Sequence, residues 1–194
     1  MSDKESRILD ATGHLLAQQG FHGLSMQQVA REAGVAAGTI YRYFDSKTDL
    51  ILALHARLVA RISQALLEGY PREASLYDRY RHWWWQCWRV HLGQPDLILC
   101  KYQFDRLPGE DNQSRMWQLE EEYFADWLAF LEEGRQSGLF KDLPDEVLSA
   151  LSIEVCLTLS HKQSTGHCQF SQQQLQAAME ASWQALCQSQ GVTP

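Results

Sequence analysis

Apolar residues recur at helical spacing along most of the chain. Between residues 4 and 19 they fall at Ile8, Leu9, Ala11, Leu15 and Leu16, one stripe of an amphipathic helix. Gly20-Phe21-His22-Gly23 interrupts the stripe and predicts its end, with Phe21 folding back against it. Ser25, with Gln28 three residues on, spells a capping box. The short helix it opens buries Val29, Ala30 and Ala33 and stops at Gly34. Another short helix is expected over 37–44, and Ser46 with Asp49 marks the start of a long one reaching Gly69. Beyond Pro71 the helices lengthen, to 75–93, 95–107 opened by Pro95, 113–137 ended by Gly138, 144–165 and 171–188. The tail from 190 is expected to fray.

Composition strengthens this picture. Leu, Ala and Gln total 64 residues, against 19 for Val, Ile and Thr, a balance that favours helix over strand. No strand-like alternation and no Asn-Gly or Asp-Gly hairpin signal interrupts it. The expected fold is all-α, with an N-terminal three-helix domain over 1–46 and a larger helical domain over 47–194. With 45% hydrophobic and 21% charged residues among 194, the chain can bury a core, which excludes wholesale disorder. No apolar run approaches the roughly 18 residues of a membrane span, and the charged first ten residues do not read as a secretory signal. A cytoplasmic protein without a membrane partner is expected. Cys87, Cys100, Cys156, Cys168 and Cys187 are odd in number and scattered, so they read as reduced, mostly buried thiols. A net charge of −7 excludes a chain-wide basic coat for nucleic acid, but not a small DNA-reading surface.

The span from Ser25 to Phe44 has the dimensions of a helix-turn-helix. In its second helix Ile40 and Phe44 are four residues apart and share a face. At about 100° per residue Arg42 points almost opposite them, Thr39 lies outside, and Tyr41 and Tyr43 flank the core. Arginine can bond guanine through two N–H groups, and threonine can meet a base edge or a thymine methyl. Tyrosine hydroxyls suit phosphate oxygens. Gly38 has no side chain to hold the backbone away from DNA. Lys47, in the first turn of the next helix, opposes the helix dipole, which makes sense if that helix start faces a phosphate. Ser25 can take the same role at its own helix start. Charge alone argues nothing, since the first 50 residues carry five basic and six acidic side chains.

At these residues the chain resembles the TetR/AcrR family. The run Gly20 to Leu50 is similar to that family's DNA-binding domain, and Gly38-Thr39-Ile40-Tyr41-Arg42-Tyr43-Phe44-Asp45-Ser46-Lys47 matches its most recognisable stretch. The resemblance covers residues 4–55. It implies DNA contact at Ser25, Gly38, Thr39, Tyr41, Arg42, Tyr43 and Lys47, in a homodimeric repressor that releases a near-palindromic operator when a small molecule binds its C-terminal domain. Ala36 departs from the pattern, since many relatives carry a capping hydroxyl there; the loss costs about 1 kcal/mol.

Six of the seven tryptophans lie between Tyr77 and Phe130. Such rings suit either a core of large residues or a pocket for apolar or cationic compounds. The resemblance favours the pocket, with Trp84, Trp88, His91, Tyr102, Trp117, Phe124 and Trp127 as candidates for a small hydrophobic or cationic effector, and by analogy a role in efflux or detoxification control. Arg89, Lys101, Gln103 and Asp105 are further polar candidates. Apolar stripes at Leu148, Leu151, Val155 and Leu159, and at Leu175, Met179, Trp183 and Leu186, either close their own domain or meet a second copy. The resemblance favours a homodimer built on them. An all-α enzyme or small-molecule binder whose N-terminal module does not read DNA is the alternative, as is a module that binds protein. No catalytic residue, cofactor or metal site is expected: H-E-x-x-H and glycine-rich phosphate motifs are absent, and His161, His167 and Cys168 do not share a helix face.

Overall fold

The computed structural model describes residues 2–93, 104 and 110–188. The expected helix over 95–107, Tyr102, Cys100, Lys101, Gln103, Asp105 and the tail from 190 lie outside the described residues. Ten helices are described: α1 (Asp3–Gly23), α2 (Met26–Glu32), α3 (Ala37–Ile40), α4 (Lys47–Leu67), α5 (Leu76–Gly93), α6 (Glu110–Tyr123), α7 (Ala125–Gln136), α8 (Asp145–Leu151), α9 (Ile153–Ser164) and α10 (Gln172–Leu186). They divide into two compact units, one of residues 1–61 with 94–122 and one of 62–93 with 123–194.

In the first unit α1 opens on a capping box of Ser2 and Glu5. The expected stop at Gly20 is a break, with φ 66°, after which the helix resumes to Gly23. Only glycine takes that conformation without strain. Phe21 is buried, and its ring meets Phe104 edge-on at 5.9 Å. Ile8, Leu16, Val29, Ile40, Leu50 and Leu54 are almost wholly buried and form this unit's core. Arg57 of α4 pairs with Asp10 of α1 at 2.5 Å and donates to the Ser6 carbonyl. His55, also on α4, bonds Glu120 of α6 through Nε2 at 2.9 Å and meets Phe104 edge-on.

Helix α4 qualifies the expectation that nothing in the chain approaches a membrane span. It has 21 residues, and its most apolar 18 have a mean hydropathy of 1.5, which is long and apolar enough to cross one. It nevertheless turns Leu50, Ile51, Leu54 and Leu58 into the protein interior and carries the paired Arg57, as a core helix does.

The second unit is built around rings. Trp84 stacks on Trp88 at 6.0 Å with planes 5° apart, Trp83 meets Trp127 edge-on, and Trp127 stacks on Phe130, which meets Phe140. Tyr80 is fully buried and shares a 2.7 Å hydrogen bond with Ser182. At Gly134 a Cβ would overlap the Phe140 ring, so the ring itself requires glycine there.

Two helices expected as single rods are each broken. The 113–137 segment divides at Phe124, and Ser63 donates to the Tyr123 carbonyl at 2.7 Å. The 144–165 segment divides at Ser152, whose backbone leaves the helical region. The buried Ser152 hydroxyl donates to the Leu148 carbonyl one turn back at 2.6 Å, a competition known to bend helices.

Candidate nucleic-acid interface

The helix-turn-helix assembles as its caps dictate. Ser25 Oγ accepts from the Gln28 N–H while Gln28 Oε1 accepts from the Ser25 N–H at 3.0 Å, closing the box that starts α2. Gly34 has φ 65° and turns the chain toward α3. No side chain caps α3 at Ala36. The α-helical part is shorter than expected and ends at Ile40; bonds from Arg42 N–H to the Thr39 carbonyl and from Tyr43 and Phe44 N–H to the Ile40 carbonyl continue the coil to Phe44. The first two span three residues, as bonds that tighten a last turn do.

That short coil has one packed side. Ile40 is 0% and Phe44 6% exposed, whereas Tyr41 is 55% and Tyr43 39% exposed. Gly38 and Arg42 are exposed and Thr39 half-buried. The Arg42 side chain has no hydrogen bond or ion pair among the described residues, which leaves its guanidinium for an outside partner. A Cβ at Gly38 would meet nothing within 4 Å, and its φ is not positive, so neither packing nor backbone geometry calls for glycine there.

Two expected contacts are already engaged within the chain. Lys47 Nζ donates to the Phe21 carbonyl at 2.6 Å, tying the start of α4 to the end of α1. An ammonium has three donors, so this bond does not exhaust it. Ser25 Oγ also donates to Gln28 Oε1 at 2.8 Å. One neighbour was not expected: Ser2 donates to the Tyr43 hydroxyl at 3.2 Å. Its signal was the Ser-x-x-Glu pattern that places a cap at the chain start.

Of the aromatic candidates, Trp84, Trp88, Trp127 and Phe124 come together in one cluster of the second unit. Trp117 does not join them; it belongs to the first unit and is 62% exposed. His91 is half-buried, its Nδ1 against the Cys87 carbonyl. Among the candidate pairing residues, Leu148, Leu175, Met179 and Leu186 are sealed in the unit's own core and Trp183 packs against it. Leu151 is exposed, and Val155 and Leu159 are half-buried. An apolar stripe on a terminal helix satisfies an internal core and an external face equally well by sequence, and here the core takes most of it.

Burial pushes the Cys87 thiol up to about 12 and raises Cys156 as well, so both stay protonated and unreactive. Among the described residues no three His, Cys, Asp or Glu side chains gather closely enough to hold a metal.

Comparison with known proteins supplies the family. Residues 8–54 match the model of bacterial regulatory proteins of the tetR family, and residues 75–187 match the tetracyclin repressor-like C-terminal domain. A TetR-family transcriptional regulator from Vibrio parahaemolyticus superposes with a TM-score of 0.87 at 38% identity, covering 96% of this chain and all of the other. An HTH-type transcriptional regulator of Haemophilus influenzae is 26% identical over 95% of this chain and 96% of its own. The fatty acid metabolism regulator protein of Bacillus subtilis is 27% identical over 60% of this chain and 52% of its own. The relatives are regulators of transcription, not enzymes, which sets aside the catalytic alternative. The chain belongs to the TetR family of transcriptional regulators, with a DNA-binding helix-turn-helix and an all-α fold.

Proposed function

We propose that the protein is a homodimeric repressor that reads a near-palindromic operator and releases it when a small, largely hydrophobic molecule binds the second unit. The observation that carries this reading is the outward set Gly38, Thr39, Tyr41, Arg42 and Tyr43 around the buried Ile40 and Phe44. Glycine inside a helix costs about 1 kcal/mol relative to alanine. Nothing inside this chain asks for it at position 38, and close approach of the backbone to DNA is the remaining reason. Arg42 reads a base, Thr39 assists, and Tyr41, Tyr43, Ser25 and Lys47 hold phosphates. One short coil reaches too few base pairs for useful specificity, so two copies act together. Their contact uses Leu151 and Val155 on the surface of α8 and α9, since Leu159 and Trp183 pack against the unit's own core and Leu148, Leu175, Met179 and Leu186 lie inside it. The protein acts on chromosomal DNA and hence in the cytoplasm.

The effector is received at the aromatic cluster of Trp84, Trp88, Phe124 and Trp127, by displacing some of the contacts these rings make with one another. The Bacillus subtilis relative named for fatty acid metabolism supports an apolar effector. An efflux or detoxification role rests on analogy with the family. The effector must favour a DNA-incompetent arrangement of the dimer, because equal affinity for both arrangements shifts nothing. Helix α4 contributes residues to both units, and that makes it the element through which such a shift is transmitted. The test is affinity for a selected duplex against salt. Binding falls steeply as salt rises, because cations on the duplex are displaced at each phosphate contact. Affinity that ignores salt would contradict the reading.

A further inference from the structure

The outer face of α5 carries a feature that the DNA-reading surface and the aromatic core leave unused. Arg81, Trp85 and Arg89 follow one another at four-residue spacing and so share a face, and they line an open cleft of about 300 Å³. The Trp85 indole is held in place by an edge-on contact with Trp84 at 4.9 Å. The two arginines are not equivalent. Arg81 pairs with Asp78 at 3.2 Å, and Asp78 is itself committed to capping α5 through Ser75. Arg89 is exposed, and its side chain has no hydrogen bond or ion pair among the described residues. The cleft wall is fixed too. His82 bonds the Leu66 carbonyl at 3.0 Å, and Gln86 donates to the Glu68 carbonyl at 2.9 Å, so both hold the C-terminal end of α4.

We infer that this cleft binds an aryl carboxylate, its ring against Trp85 and its carboxylate on the Arg89 guanidinium. A free guanidinium beside a fixed indole suits a planar anion, because the fork takes both carboxylate oxygens and the indole offers a flat apolar face. The volume sits at the small end of ligand pockets, which suits one or two rings. Because Trp85 leans on Trp84, the ligand would reach the same aromatic cluster from its polar side. The proposal rests on the effector-responsive reading above and names the effector's class.

Isothermal titration calorimetry of the full chain with 1-naphthoate, 1-naphthamide and inorganic phosphate tests it. The expected result is that naphthoate binds about tenfold or more tightly than the neutral amide. Arg89→Met then removes about tenfold from naphthoate affinity and leaves the amide unchanged, and Arg89→Lys recovers part of the loss, since lysine keeps the charge without the fork. Thermal melts of both variants should match the parent, as the side chain is exposed and unpaired. Equal binding of amide and acid, naphthoate affinity indifferent to Arg89, phosphate binding as tightly as naphthoate, or no binding up to millimolar concentration would each overturn the proposal. If naphthoate binds through Arg89 but leaves affinity for a selected duplex unchanged, the cleft stands and its effector role falls. If nothing binds through Arg89 while the duplex is still bound, the cleft falls and the DNA-binding reading stands.

Discussion

The two units treat their most chemically versatile side chains in opposite ways. In the first, Ile40 and Phe44 hold a short coil against the core and leave Thr39, Tyr41, Arg42 and Tyr43 facing outward. In the second, Trp83, Trp84, Trp88 and Trp127 are drawn inward and spend their surfaces on one another. Aromatic richness therefore means different things in the two places. A tyrosine left half-exposed beside an unpaired arginine is available for recognition; a tryptophan stacked on a tryptophan first of all holds the fold together.

The sharpest way to break this contrast is to delete a ring. Trp84→Ala removes a fully buried indole and should destabilise the protein by about 3–5 kcal/mol, read as a lowered denaturation midpoint. A loss below about 1 kcal/mol would mean that the ring is not structural. Gly134→Ala follows, because the added methyl group must displace the Phe140 ring; about 1–3 kcal/mol of stability should be lost in the same assay. Arg42→Ala probes the other side of the comparison. Operator binding should weaken by about 1–3 kcal/mol with relaxed preference at one position, while the melting curve barely moves. The smallest effect is expected of Ala36→Ser, which supplies the missing cap of α3 and should stabilise the protein by about 0.5–1 kcal/mol.

The helix-turn-helix was legible because its caps and its packed face are local. Ser25 with Gln28, Gly34, and the Ile40–Phe44 spacing each act within four residues, and each lies where the sequence puts it. Helices α4, α5 and α10 were legible for the same reason, starting at Ser46, Ser75 and Ser171 with polar partners three residues on. The breaks at Phe124 and Ser152 were not legible. Each has a tertiary partner or a buried hydroxyl competing for a carbonyl, Ser63 for that of Tyr123 and Ser152 for that of Leu148. A serine inside an apolar run carries no sign of which carbonyl it will take. The stripe of α10 left two readings open for a related reason: periodicity shows that Leu175, Met179 and Leu186 share a face but not what that face meets. Lys47 was placed correctly on a helix start, yet its bond to the Phe21 carbonyl, 26 residues away, could come only from the folded chain.

The central claim is that the outward face of α3 reads DNA sequence as part of a symmetric pair. Selection of tight binders from randomised duplex DNA by the purified full chain, at moderate salt and without effector, tests it most directly. Enrichment of one near-palindromic sequence is expected, with Arg42→Ala losing preference at symmetry-related positions of its two halves. A folded protein that enriches no sequence even at low salt, or a site without two-fold symmetry, would contradict it.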